Sequence, residues 1–356
     1  MSKKILFLAP YPHGQAPSQR FRFEQYFNLL KNHGFEIEFR SFLNPKTWKV
    51  LYAKSSVLSK IIGILGSFWR RFILLFSIHK YDYIFIHRET AMVGPPVFEW
   101  IIAKVLRKKY IYDFDDAIWL PNYSDSNASF HRLKAYWKVK KIIKWADKVS
   151  VGNDYLKQFA LKFNQNVTVI PTTIDLENSH SIETIQTEQI INIGWTGTHT
   201  TMEYLDDLIP VIQKLEHLFN FNFIVISNEA PKYKLKSLQF IKWNKSSEIK
   251  DLASIHIGLM PLPNETWAQG KCGFKALQYM ALNIPTVASP VGVNTSIIKD
   301  GKNGFLCESQ DEWFDKISLL LSNIEIRQEI GKKGKETIIN NYSVAKIGTD
   351  YINLFS

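Results

Sequence analysis

The stretch Asn264–Gly292, NETWAQGKCGFKALQYMALNIPTVASPVG, constrains the fold more than any other part of the chain. Just before it, Ile255–Leu262 (IHIGLMPL) is a short apolar run ending in Pro, the pattern of a strand buried on both faces. A polar loop with glycines, Asn264–Gly273, leads into Phe274–Leu282, where Phe274, Leu277 and Met280–Ala281 share one helical face. Asn283 and Pro285 read as the C′ residue and the stop, and Ile284–Ser289 is the next strand. Strand, glycine loop and helix start together present free backbone N–H groups and a positive dipole end to an anion. Lys271 and Lys275 flank that start and add charge where a phosphate would sit.

The chain has 356 residues, long for one core and suited to two domains. A hydrophobic content of 46% excludes a disordered chain. Cys272 and Cys307 cannot form a disulfide framework and lack metal-ligand spacing, which fits a reducing cytosol. Ile5–Ala9 before Pro10 reads as a first strand, not a signal peptide. No run reaches the roughly 18 apolar residues that span a bilayer. A net charge of +11 calls for an anionic partner, and without a nucleic-acid signature the candidates are nucleotides and lipid headgroups.

The first half reads as repeated β-α units. Lys4–Ala9 closes in the loop Pro10–Pro17; a helix capped by Ser18 runs to about His33, with Gly34 after it; Phe35–Phe42 alternates as a strand. Tyr83–His87 ends in Arg88-Glu89, and a helix spans Val97–Leu106. Lys109–Phe114 ends in Asp113-Phe114-Asp115-Asp116, and Phe130–Trp145 is a basic, aromatic helix. The strand Lys148–Val151, another helix and the strand Val167–Ile170 follow. In a parallel sheet the polar residues after each strand gather at the carboxyl edge. Asp175–Glu188 lacks periodicity and reads as a linker. A second series then begins: Ile190–Ile193 into Gly194-Trp195-Thr196-Gly197-Thr198, a helix Met202–Phe219, Phe221–Ile226 into Ser227-Asn228-Glu229, and Gln239–Trp243. The chain closes with the amphipathic helix Tyr342–Phe355.

Ser41–Tyr81 stands apart, with seven basic residues and no acidic one. Leu58, Ile61, Ile62, Leu65, Phe68, Trp69, Phe72, Leu75 and Phe76 recur at helical spacing, with Lys60, Arg70 and Arg71 on the other side. Such a helix packs on the sheet with a solvated basic face, lies on an anionic membrane, or does both at once, and the absence of acids favours a membrane role for its exposed face.

With these residues laid out, the chain resembles the family-4 glycosyltransferases over nearly its whole length. The matching segments are ILFLAPYP at the start, ADKVSVGNDYLKQF (Ala146–Phe159), NVTVIPTTID (Asn166–Asp175), INIGWTGT (Ile191–Thr198), GFKALQYMALNIPTVASPVG (Gly273–Gly292) and DGKNGFL (Asp300–Leu306). The resemblance implies an α/β fold of the GT-B type, two Rossmann-like doubly wound domains facing across a cleft. Residues 1–175 would form the acceptor-side domain, with helix 342–356 crossing back to it, and 188–341 the nucleotide-sugar domain. It also implies a retaining transfer from a nucleotide-diphosphate sugar, with no cofactor and no essential metal. The family's paired glutamates fall here on Gly270 and Gln278, and its Arg and Lys on Trp195 and on Thr200 or Thr201. Lys271 and Lys275 would replace the lost cations, and Gln278 would still hydrogen-bond a ribose hydroxyl. The family's His-Asp pair falls on Asp115-Asp116; these two, with His87 at the end of the strand Tyr83–His87, are the catalytic candidates. Gly194, Trp195, Thr196, Gly197, Thr198, Ser227, Asn228, Trp243, Gly270, Lys271, Cys272, Gly273, Phe274, Lys275 and Gln278 would bind the donor. Gly14, Gln15 and Arg20 in the loop Tyr11–Arg22, together with Arg88, would line the acceptor side.

The expected role is extension of a bacterial surface polysaccharide on a lipid-linked acceptor by a cytoplasmic protein, peripheral at the inner face of the membrane through residues 41–81. Two other classes compete. Asp113-Phe114-Asp115 is also a DxD, by which metal-dependent transferases hold Mg²⁺ or Mn²⁺; in a strand Asp113 and Asp115 would share a face. A chain lacking both glutamates also fits a non-catalytic subunit of an assembly complex, with a nucleotide-sugar epimerase a smaller possibility.

Overall fold

The computed structural model describes residues 2–52, 57–121, 132–187 and 189–356. Part of the basic segment (53–56, with Lys54), the start of the expected helix Phe130–Trp145 and the linker's last residue, Glu188, lie outside the described residues. Backbone contacts divide the chain into two units, Met1–Thr172 with Gly348–Ser356, and Thr173–Ile347. Among the described residues each unit carries one six-stranded, all-parallel sheet.

In the first unit the strands are β1 (Lys3–Ala9), β2 (Phe35–Ser41), β3 (Tyr83–His87), β4 (Ile111–Phe114), β5 (Lys148–Val151) and β6 (Val167–Val169), ordered β2-β1-β3-β4-β5-β6. The apolar Ile5–Ala9 of β1 is fully buried, because β1 sits between β2 and β3 and is covered on both faces. In the second unit β7 (Ile191–Gly197), β8 (Phe221–Ser227), β9 (Leu238–Lys242), β10 (Ile257–Met260), β11 (Thr286–Ala288) and β12 (Phe305–Leu306) are ordered β12-β11-β10-β7-β8-β9. Each sheet therefore reverses its winding once, between β1 and β3 and between β7 and β10. In open α/β sheets ligands bind beyond the carboxyl ends of the strands at that switch.

Three sequence expectations are corrected. The helix expected from Ser18 to His33 is broken into Pro17–Arg20, a 3₁₀ turn at Glu24–Tyr26 and Phe27–Asn32, and its first residue follows Ala16, not Ser18. Phe23 (φ −141°, ψ −31°) leaves helical geometry, and its fully buried ring lies 5.5 Å from Phe7 on β1. β7 runs on to Gly197, so Gly194 and Trp195 belong to a buried strand rather than a loop. The third concerns the basic helix. It forms over Val57–Leu75, but Leu58, Leu65 and Trp69 are each more than 60% exposed while Arg71 is buried. Arg71 donates to the carbonyls of Thr90 (3.1 Å), Arg40 (3.2 Å) and Ala9 (3.4 Å). Burial brings its guanidinium down to about 10, still cationic at neutral pH.

Gly194 is a packing glycine. A Cβ there would lie 2.4 Å from Cδ1 and Cγ1 of Ile255. We expect Gly194→Ala to cost about 1–3 kcal/mol in urea unfolding, from overpacking. Ile255→Ala in the same chain should recover part of it, a coupling of about 0.5–3 kcal/mol. Strictly additive losses would contradict this packing.

Candidate functional site

In the first unit the chemistry gathers after β1, β3 and β4. Asp113, the third residue of β4, is 1% exposed. Its carboxylate receives the Arg22 guanidinium through Nη2 and Nε, Ser150 Oγ at 2.8 Å and His87 Nδ1 at 2.8 Å. Burial works to raise its pKa, but Arg22 and His87 outweigh it and hold the carboxyl well below the usual range. Arg22 also donates to the Ile170 carbonyl. One buried ion pair thus ties the first loop to β3, β4, β5 and the end of β6.

The turn after β3 is built on this network. Arg88 has φ +58°, a left-handed conformation that costs a non-glycine residue about 1–3 kcal/mol. It is held by Arg88 N–H donating to Asp113 O (2.7 Å) and by Tyr112 Oη donating to Arg88 O (2.7 Å). The guanidinium so aimed bridges two carboxylates, Nε to Asp115 Oδ1 (2.7 Å) and Nη2 to Asp116 Oδ2 (2.6 Å). Burial works against the charge on Arg88, yet Asp115 and Asp116 together raise its pKa. Two charge-compensated carboxylates side by side suit sugar hydroxyls as hydrogen-bond donors.

Several expectations change here. His87 is fully buried between Asp113 and the Phe23 ring, 5.3 Å away, and positions Asp113 rather than meeting a substrate. Its Nε2 has no hydrogen-bond partner among the described residues. Arg88 is engaged by Asp115 and Asp116, which displaces the reading of it as a ligand for an acceptor phosphate. Asp113 is enclosed with Arg22 and His87, whereas Asp115 is paired with Arg88, so the two carboxylates of the DxD are engaged by different cations. Among the described residues no three His, Cys, Asp or Glu side chains are grouped to hold a metal. In the first loop Gly14 is buried, left-handed (φ +74°), and donates to Glu24 Oε2 at 2.8 Å, while Gln15 is exposed. Arg20 lies against the Phe21 ring, 4.9 Å from its centroid. Gln19, Glu24 and Arg22, which shape this loop, escaped the sequence reading; a lone Arg between Phe21 and Phe23 was the available signal.

In the second unit the helix Phe274–Ala281 stands over the switch between β7 and β10. Gly258 of β10 has no side chain, and a Cβ there would be 2.5 Å from the Tyr279 ring. Tyr279 therefore lies flat on the strand, and its hydroxyl accepts from Thr196 N–H of β7 at 3.0 Å. Gly273 enters the helix at φ +69° with Ile297 packed where a Cβ would be. Gly270 and Cys272 are buried beside it, and Phe274 is half-buried. Lys271 Nζ lies 5.3 Å from the Trp267 ring centre and Lys275 Nζ 5.6 Å from that of Trp195, so both lysines rest on indoles close to the helix start.

The loops after β7 and β8 meet as well. Thr198 caps the turn that follows, paired with Thr201. His199 N–H donates to Asn228 Oδ1 at 2.8 Å, and the Asn228 amide faces His199 Nδ1 at 2.8 Å. Gly197 is half-buried, closed on one side by the Trp195 ring. Trp195 itself is fully buried in the core beside Ile193 and Leu259, and Ser227 is also buried, so neither side chain offers a donor contact. Gln278 is 2% exposed with an Nε2 lacking a partner among the described residues; its amide is enclosed rather than open to a ribose. Trp243 follows β9, two strands from β7 and on the side away from β10, and donates to Glu248 Oε1 at 3.3 Å. It is not brought to the Gly270–Lys275 loop.

Comparison with known proteins follows this geometry. Residues 199–337 match the family described as glycosyl transferases group 1. An uncharacterized glycosyltransferase of Methanocaldococcus jannaschii is 25% identical over 60% of each chain. The poly(ribitol-phosphate) alpha-N-acetylglucosaminyltransferase of Staphylococcus aureus is 34% identical over 24% of this chain and 18% of its own length. The chain thus spans less than two thirds of either relative. Among solved structures, Anabaena HepE in complex with UDP and glucose superposes with a TM-score of 0.66 at 14% identity, covering 99% of both chains. The fold is the two-domain, Rossmann-like architecture of GT-B glycosyltransferases.

The Asp113 network yields a pH-dependent prediction. Arg22→Met leaves a buried carboxylate without its cation and should cost about 3–5 kcal/mol near neutral pH. A carboxyl depressed in the folded state stabilises above its unfolded pKa, about 3.9, and loses that contribution as pH falls. The gap between wild type and variant in urea unfolding should therefore begin to narrow at about pH 4 and go on narrowing as the pH falls further. A gap under about 1 kcal/mol, or one independent of pH, would contradict the assignment.

Proposed function

We propose that this protein is a retaining glycosyltransferase that moves a sugar from a nucleotide-diphosphate sugar to a lipid-linked glycan acceptor in bacterial surface polysaccharide synthesis, without a metal. The observation that carries the reading is that the group 1 match at residues 199–337 takes in β10 and the loop Gly270–Lys275 that follows it, on the β10 side of the switch. There a helix start, a left-handed glycine and two lysines converge. The UDP and glucose held by a structure of the same fold support a nucleotide-sugar donor. The Staphylococcus relative, named for transfer to poly(ribitol-phosphate), supports a surface glycan as acceptor.

In such a transfer the bond between sugar and diphosphate breaks, and negative charge builds on the leaving diphosphate. The N–H groups at the start of Phe274–Ala281 and the Lys271 and Lys275 ammonium groups would take up that charge. Gln278 would reach the ribose only after its enclosed amide turns outward. Asp115 and Asp116, set by Arg88, would orient the acceptor hydroxyl and accept its proton. The protein would work in the cytoplasm at the inner face of the membrane, held there through residues 41–81. A non-catalytic GT-B subunit is the second reading, favoured by Gln278 where the family has a carboxylate.

A thermal-shift panel of UDP, GDP, ADP and CMP, each with Mg²⁺ or EDTA, tests the donor. One nucleoside diphosphate should stabilise the protein regardless of metal. No shift from any nucleotide would favour the non-catalytic subunit, and a shift only with metal would oppose metal independence. Lys271→Ala and Lys275→Ala should each raise the donor KM more than about tenfold, or about 1.4 kcal/mol of binding. Unchanged donor kinetics in both would remove them from the diphosphate site.

A further inference from the structure

We propose that three elements of the first unit form one membrane-binding face: the Val57–Leu75 helix, the Val97–Trp100 turn with its continuation to Val105, and the segment 132–145. The inference deepens the membrane placement proposed above, which named only residues 41–81, and it is independent of the transfer chemistry. It rests on a feature common to all three elements. Each buries one charged side chain (Arg71, Glu99, Lys138) and leaves large apolar side chains exposed, although the two shorter elements also bury Phe98, Ile102, Val139, Ile142 and Ile143.

The inward charges converge on one loop. Arg71 donates to the Thr90 carbonyl at 3.1 Å. Glu99, 1% exposed, accepts from Thr90 N–H at 2.9 Å. Lys138, 2% exposed, reaches Glu89 Oε2 and the Ala91 carbonyl, each at 2.8 Å. Residues 89–94 thus tie the three elements together. Phe68 and Phe98, 5.9 Å apart, and Gly94 N–H donating to Leu133 O at 2.7 Å complete the join. This loop follows Arg88 directly, so the face adjoins the Arg88–Asp115–Asp116 cluster.

The outward side is apolar with an aromatic rim. Leu58 is 66% exposed, Leu65 62%, Trp69 63% and Phe76 71%; Trp100 and Trp137 are 46% and 47% exposed. The packed side of the long helix is narrow by design of its residues: a Cβ at Gly63 would lie 2.7 Å from Thr47 Cγ2, and Ser67 is buried next to Arg71. The larger apolar stripe therefore has no room in the core and stays outside.

Charge identifies the occupant. Residues 41–81 and 132–145 contain no Asp or Glu, and the one acid in 97–108, Glu99, is buried. Arg70, Lys104, Arg107, Lys140, Lys141 and Lys144 are exposed around the apolar residues, with Lys141 Nζ 5.1 Å from the Trp137 ring centre. Exposed Trp and Leu ringed by cations fit the interface of an anionic bilayer. A second copy of the chain would bring like charges together. No helix among the described residues is long and apolar enough to cross a membrane, so this face lies on the surface.

Co-sedimentation of the full chain with phosphatidylcholine vesicles, with and without about one third phosphatidylglycerol, tests the proposal. Binding should need the anionic lipid and weaken with salt. Trp69→Ser with Phe76→Ser, Trp100→Ala with Trp137→Ala, and Lys140→Glu with Lys141→Glu should each lower partitioning at least about tenfold, with melting temperature and nucleotide response unchanged. Ile185→Ser, at an 85% exposed site in the other unit, should bind as wild type. If only the Trp69/Phe76 pair matters, membrane association stands and the three-element face falls. If the wild type ignores anionic vesicles, or light scattering shows a dimer that the same variants dissolve, both fall.

Discussion

The Arg22–Asp113 ion pair is the interaction on which the first unit's chemistry depends. Removing one partner would leave a charge buried at the centre of a parallel sheet, where no water can reach it. The pair fixes the first loop against β4, and the carbonyl of Asp113 then holds the N–H of Arg88 in a left-handed turn. That turn in its own right sets Arg88 between Asp115 and Asp116. A strained residue with three independent restraints is an arrangement that persists because its surroundings over-determine it. The first unit therefore presents a rigid pair of carboxylates rather than two mobile ones.

In the second unit the organising contact is steric. Gly258 admits the Tyr279 ring, and the Tyr279 hydroxyl pins the helix to the Thr196 backbone. This places a helix start at the carboxyl ends of the two strands where the winding reverses. The Gln278 amide and the Trp195 indole are both enclosed, each with a nitrogen that has no hydrogen-bond partner among the described residues. Charge for an anion would come from Lys271 and Lys275, which rest on indole faces that limit their freedom and so would reduce the entropy lost on binding.

The strands were legible because parallel strands buried on both faces are unbroken apolar runs. Lys148–Val151 is recovered residue for residue, and Asn283 adopts the positive φ (+62°) that its place after the helix implied. The side-chain assignments were harder, since burial depends on which face a neighbour covers. Trp195 after a short apolar run resembles a loop residue, yet β7 continues through it because its indole fills the core. Asp113 and Asp115 alternate as a strand pair would, but the strand ends at Phe114 and only Asp113 stays within it. On Val57–Leu75 both faces carry apolar residues; the small Gly63 and Ser67, rather than the larger Leu and Trp, decide which one packs. Arg22 and Lys138 show the same limit: a cation in an amphipathic stretch reads as solvated until its buried partners are known.

Hydrogen–deuterium exchange of the full chain with and without UDP or GDP would test the central claim most directly, since it reads the backbone N–H groups held to bind the diphosphate. The account predicts slowed exchange over Gly270–Gln278 and across Thr198–Thr201 with the nucleotide bound. Exchange unchanged in both segments while the nucleotide binds elsewhere would contradict it.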